Sequence, residues 1–169
     1  MMILSKKVLR TSWKVEKSEK NMGIINIVKT AKEIHKEYII IVRTGNFYNC
    51  YGRDSYVISY LFGYKITLTK NNIYNCSFPK SAYNKVVSRL EQKRINYIIL
   101  DKRNNYDVDE KCDNKSRNNY TETYEKAKKE IASKMRIEKI YNFLQNCNDE
   151  KIIYEVEKII SERRKIQSN

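Results

Sequence analysis

Tyr38-Ile-Ile-Ile-Val-Arg-Thr-Gly-Asn-Phe-Tyr-Asn-Cys-Tyr-Gly52 opens as an uncharged β-branched run, turns at Gly-Asn, and returns through aromatic residues. β-Branched side chains fit a pleated, buried surface, so Tyr38 to Val42 predicts a buried strand. Gly45-Asn46 supplies the turn, and Phe47 to Tyr51 is expected to continue as a second strand. Phe47 stands two residues past the turn glycine, where the chain bends sharply and a side chain can be held outward.

Outward from this hairpin, Ile24, Ile27, Val28, Ala31 and Ile34 recur at helical spacing, giving an amphipathic helix over 24–37. Downstream, Asp54 is the expected N-cap of a helix with Val57, Ile58, Leu61 and Phe62 on its inner face and Gly63 closing it. Tyr64 to Lys70 alternates as a half-exposed strand, and Asn71-Asn72 turns into a short partner, Ile73–Cys76. Ser77-Phe-Pro79 is read as opening a helix to about Lys93, followed by an apolar strand, Ile95 to Leu100. Asp101 to Asn119 is polar and aperiodic, a loop. Beyond it only helical stripes occur: about Glu122 to Lys134, a second with Ile137, Ile140, Tyr141 and Leu144, and a third with Ile152, Ile153, Val156, Ile159 and Ile160.

This order predicts an α/β (α+β) fold, a small mixed sheet flanked by helices with an all-helical C-terminal extension. The expected divisions are a basic arm over 1–20, where Trp13 and Val15 dock on the core, an α/β domain over 21–103, a linker over 104–119, and helices over 120–169.

The composition excludes several classes. One histidine among 169 residues rules out a His-based zinc site or a Ser-His-Asp triad. The four cysteines are scattered without a Cys-x-x-Cys pair, as in free thiols of a reducing cytoplasm. No 18-residue apolar run exists to cross a membrane. There is no Gly-x-x-x-x-Gly-Lys-(Ser/Thr) loop, so neither ATPase activity nor any cofactor is expected. A metal-dependent nuclease would need clustered carboxylates, yet Asp54, Glu91 and Asp101 are isolated and Asp107, Asp109, Glu110 and Asp113 fall in the expected loop.

The formal charge is +14, and its distribution is uneven. Residues 1–37 carry 9 basic and 4 acidic side chains, residues 38–103 carry 11 and 3, and residues 104–169 carry 14 and 13. A/T-rich codons would enrich Lys, Asn, Ile and Tyr evenly along the chain. The excess over 38–103 therefore points to an anionic partner such as nucleic acid.

The collinear series Gly45-x-Phe47-Tyr48, Leu61-x-Gly63, Ile66-x-Leu68-Thr69-Lys70 and Phe78-Pro79 resembles the first, mismatch-recognising domain of the MutS DNA-repair family. The likeness runs from about Ile27 to Lys102. It implies a non-catalytic module that binds double-stranded DNA, mismatched or distorted, with Phe47 as a minor-groove wedge. A wedge costs a few kcal/mol of unstacking, least where pairing is already weak. Where the family has Gly-Asp-Phe-Tyr-Glu, this chain has Asn46 and Asn49, so two negative charges are gone from the tip. The resemblance thus implies tighter non-specific contact and poorer discrimination. Tyr48 is a further candidate contact, and Arg43, Arg53, Lys65, Lys70, Lys80 and Lys85 are the candidate phosphate contacts, with helix amides after Pro79 assisting.

A lone module of this kind binds weakly, so a homodimer or protein partner through the C-terminal helices is expected. The alternative is a protein–protein interaction module that kept the fold and lost mismatch recognition.

Overall fold

The computed structural model describes residues 23–114 and 116–167. The 1–20 arm, with Trp13 and Val15, lies outside the described residues. Helix α1 spans 23–34. It is followed by β1 (Ile39–Thr44), β2 (Phe47–Tyr51), α2 (Arg53–Phe62), β3 (Ile66–Leu68), β4 (Tyr74–Pro79), α3 (Tyr83–Gln92), β5 (Tyr97–Asp101), β6 (Val108–Cys112), α4 (Tyr120–Gln145) and α5 (Glu150–Gln167). Among these, six strands form one mixed sheet in the order β3-β4-β2-β1-β5-β6. Only β1 and β5 run parallel; the other neighbours are antiparallel.

The sheet is central because β1 is apolar on both faces. Ile39 and Ile41 join Tyr48, Cys50, Phe78, Tyr97 and Ile99 beneath Val57 and Ile58 of α2 and Val86 and Leu90 of α3. Ile40 and Val42 project to the other face, where Ile24 and Val28 of α1 cover them with Ile98 and Leu100. Alternate residues of a strand point to opposite faces, so a continuous Ile-Val run demands cover on both. Each such side chain contributes ~1.5–3 kcal/mol on full burial.

Several local expectations are corrected. Asp54 does not cap α2. Gly52 occupies the N-cap without a side-chain bond, and Asp54 is buried one position inside the helix. It accepts hydrogen bonds from the Ile40 amide at 2.9 Å, Lys32 Nζ at 2.6 Å and the Tyr120 hydroxyl at 2.6 Å. Burial lowers the Lys32 pKa and the nearby Asp54 charge opposes that shift, while burial beside Asp54 drives the Tyr120 pKa up.

Ser77-Phe78-Pro79 is strand rather than helix. Pro79 ends β4 opposite Phe47, a 3-10 turn spans Lys80–Ala82, and α3 starts only at Tyr83. Proline is tolerated at a strand end because no further ladder bond is required of it.

The polar stretch 104–119 contains β6, whose charged sequence Val-Asp-Glu-Lys-Cys suits an edge strand. Its Glu110 accepts from the Tyr97 hydroxyl at 2.7 Å and from the Tyr83 hydroxyl.

The three expected C-terminal helices are two. No Gly or Pro interrupts Tyr120–Gln145, and α4 is continuous through Lys134 and Ile137. Two compact units divide between Lys129 and Glu130. No described helix is long and apolar enough to cross a membrane.

Candidate nucleic-acid interface

The β1–β2 turn has two residues, with Thr44 facing Phe47. Gly45 has φ 61, while Asn46 is not among the positive-φ residues. That is the type II′ pattern, which matches the twist of paired strands and requires Gly at its first position. The tip is clamped from β4, because the Lys80 amide donates to the Asn46 carbonyl at 2.9 Å. That bond uses the amide expected to cradle a phosphate, and no α-helix begins at Pro79 to supply others nearby.

On this scaffold Phe47 is 53% exposed, although most phenylalanines are buried. Phe47 and Asn49 are two apart on β2 and so share a face. Asn49 is held on that face. Its Nδ2 donates to Thr44 Oγ1 at 2.6 Å, and its Oδ1 accepts from the Ser77 hydroxyl at 2.7 Å. Ser77 in turn accepts from Asn75 Nδ2 at 3.0 Å, and Asn75 Oδ1 is buried without a hydrogen-bond partner. A fixed polar strip thus runs across β1, β2 and β4 below an outward ring.

Tyr48 points to the opposite face and is 5% exposed. It stacks between Phe78 and Tyr83 at centroid distances of 5.3 and 5.2 Å. It is a core ring with no surface to offer a base.

The strand register sorts the basic residues by end. The termini of β1, β4 and β5 and the start of β2 meet at the Phe47 end, because β5 runs parallel to β1 and β4 is antiparallel to β2. Lys80 lies at this end, as does Lys85 in the first turn of α3; both are exposed. Arg43 is there too, but half-buried and paired with Asp101 at 3.2 Å. Arg53 and Lys70 lie at the other end: Tyr51, just before Arg53, pairs with Asn75, and Leu68, just before Lys70, pairs with Tyr74. β2 alone separates the ends by ~13 Å at 3.3 Å per residue. Arg53 also rests over the Tyr124 ring, 4.2 Å from its centroid. Lys65 enters β3 at mid-height, two strands from Phe47.

Two residues at the Phe47 end escaped the sequence reading. Lys102 and Arg103 follow β5 and are exposed. The signal was available, since a strand parallel to β1 must finish where the hairpin turns. Arg103 bonds Asp101 at 2.6 Å. Its hydrogen bonds hold the Asp101 carboxyl below the usual range against the opposing effect of burial. Two guanidiniums therefore share one buried carboxylate, and the Asp109 charge at the start of β6 also acts on Arg103.

This edge offers an apolar ring, fixed amides and cations. Among the described residues, no three His, Cys, Asp or Glu side chains group as a metal set. The thiols are free, with Cys50 and Cys76 buried.

Compared with known protein families, the chain matches the model of MutS domain I over residues 22–117. The match spans more than half the chain, includes all six strands of the sheet, and ends just before α4. No curated protein matches the chain.

Proposed function

We propose, from the premise that the chain belongs to the MutS domain I family, that it is a non-catalytic module that binds double-stranded DNA through the Phe47 hairpin. Phe47 enters the minor groove at a weakened base step, and Asn49 beside it offers its remaining amide hydrogen and lone pair to a base edge. Lys80, Lys85 and Lys102 contact the flanking phosphates, with Arg43 and Arg103 supporting them around Asp101. Lys65 lies at the margin of this footprint, and Arg53 and Lys70 beyond it.

The observation that carries this reading is the ring of Phe47, 53% exposed at the apex of a clamped hairpin. About half of this side chain stays uncovered in the folded chain, and an intercalating contact would bury that half. Target discrimination follows from deformability: the ring enters most cheaply where a mismatch or bulge has already weakened stacking. The test is fluorescence anisotropy with matched, mismatched and bulged duplexes at two salt concentrations. Salt-sensitive binding with tighter capture of distorted duplexes is expected. Absence of binding at low salt would refute the reading.

A second reading has its own support in the apolar residues exposed on the C-terminal helices, Ile137, Ile140, Tyr141, Phe143, Ile153, Ile159 and Ile160. On it the chain engages a protein through those helices, as a dimer or with another partner. Such an interface also complements the first reading, since a few phosphate contacts alone give roughly 10⁻⁴–10⁻⁶ M affinity at physiological salt.

A further inference from the structure

The second compact unit, residues 130–169, differs in charge from the first. It carries 8 basic and 7 acidic side chains, a net of +1, whereas residues 23–129 carry 20 and 11, a net of +9. A nearly neutral unit selects neither a phosphate backbone nor a strongly charged protein. It also does not repel a second copy of itself.

Helix α5 shows what such a copy would meet. Five of its apolar residues, Ile152, Ile153, Val156, Ile159 and Ile160, are spaced symmetrically about Val156, with Tyr154 and Ile166 outside the set. At 100° per residue all five fall within one arc of the helix. Ile153, Ile159 and Ile160 are 36%, 59% and 48% exposed. Ile152 and Val156 on the same arc are half-buried, so the face is only partly covered, and an 18-residue helix is marginal in isolation.

The charges along α5 are segregated. Glu150 to Glu157 carries three acidic residues and one basic, a net of −2; Lys158 to Arg164 carries three basic and one acidic, a net of +2. A parallel partner would stack like on like. An antiparallel partner sets each acidic half on a basic half.

We infer that α5 is a self-association helix, pairing antiparallel with α5 of a second copy about a two-fold axis at Val156. Ile153 then faces Ile160 of the other copy, Ile152 faces Ile159, and Val156 meets its own counterpart. Outside this apolar centre, Asp149 comes opposite Arg163 and Glu150 opposite Arg164. The interface is isologous, so it closes at two copies rather than growing into a filament. This deepens the dimer named above and is independent of the DNA contact.

Sedimentation equilibrium of the full chain should give twice the monomer mass. The Ile153→Glu/Ile160→Glu variant should return to a monomer while keeping the far-ultraviolet signal of the α/β unit. Orientation is read by cross-linking in a Cys112→Ser/Cys147→Ser background. An Ile153→Cys chain mixed with an Ile160→Cys chain should cross-link to each other far faster than either does to itself. A monomeric wild-type chain, or cross-links confined to like pairs, would overturn the pairing. A dimer that binds no DNA would uphold it while refuting the DNA reading.

Discussion

Replacing Phe47 by Ala separates a binding role from a packing role, because the two make opposite demands on stability. Full burial of a phenylalanine is worth ~1.5–3 kcal/mol. Roughly half of this ring is already covered in the free protein, since 53% is exposed. Truncation should therefore cost about 1 kcal/mol of folding stability, a fall in Tm of ~2–4 °C for a chain of this size. The uncovered half is what DNA would bury, at about 1–1.5 kcal/mol, or roughly five- to tenfold in affinity. That loss should appear on mismatched and bulged duplexes and nearly vanish on matched ones, where the ring does not enter. Phe78, on the other face of the sheet and 1% exposed, is the control. Phe78→Ala should cost ~3–5 kcal/mol of stability. Anisotropy titrations paired with thermal melts decide the matter. A Phe47→Ala chain that keeps its preference for distorted duplexes, or that melts like Phe78→Ala, would refute the wedge.

Charge reversal should sort the basic residues by their end of the sheet. Lys80→Glu and Lys102→Glu are expected to weaken matched and distorted duplexes alike and to reduce the salt slope by about one each for B-DNA, while Lys70→Glu at the far end leaves both unchanged. Asp54→Asn leaves half-buried Lys32 opposite a neutral group. Breaking a fully buried pair costs ~3–5 kcal/mol, and with Lys32 partly hydrated the cost should fall toward the lower end, visible as a lower midpoint in urea unfolding. Asp101 has a folded pKa below its unfolded value near 3.8, so its contribution is full above that value and lost as pH falls through the folded one. Acid unfolding of Asp101→Asn should accordingly show a shallower loss of stability below pH ~4 than the wild type, starting from a lower plateau.

The sequence made the hairpin legible because its signals agree. An uncharged β-branched run, a Gly-Asn turn and an aromatic return all describe β1 and β2, and the structure has them within two residues of the expected bounds. The mixed sheet between helices followed from the same patterning. The missed elements are those that tertiary context decides. Val108–Cys112 carries three charges in five residues and becomes a strand only because β5 offers an open edge. Pro79 signals a helix start as strongly as a strand end, and pairing with Phe47 selects the latter. Asp54 has a capping residue's chemistry, but Lys32 and Tyr120, 22 and 66 residues away, claim its carboxylate. At the site, residue type alone could not distinguish Tyr48 from Phe47. The turn assigns them to opposite faces, one toward the core and one outward.

The two asparagines at the tip follow a physical logic that a single substitution can test. Asn49 is held by Thr44 Oγ1 and by the Ser77 hydroxyl, each of which can turn its proton toward a carboxylate. Glutamate at position 49 would therefore find two donors in place, and Asn49→Glu should fold with little change in Tm. It would restore to the tip the negative charge that the MutS pattern carries and this chain lacks. A unit charge ~4 Å from a phosphate costs about 1 kcal/mol in water, several-fold in affinity. Matched duplexes bear that cost fully. A distorted duplex whose displaced base donates a hydrogen bond to the carboxylate recovers part of it, through a charge-assisted bond stronger than one to an amide. The variant should thus bind matched DNA more weakly and widen the ratio between distorted and matched duplexes. The weakening should shrink as salt shortens the Debye length to ~8 Å near 0.15 M. Equal weakening of every duplex would mean that position 49 never meets a base, leaving the hairpin as a backbone contact only.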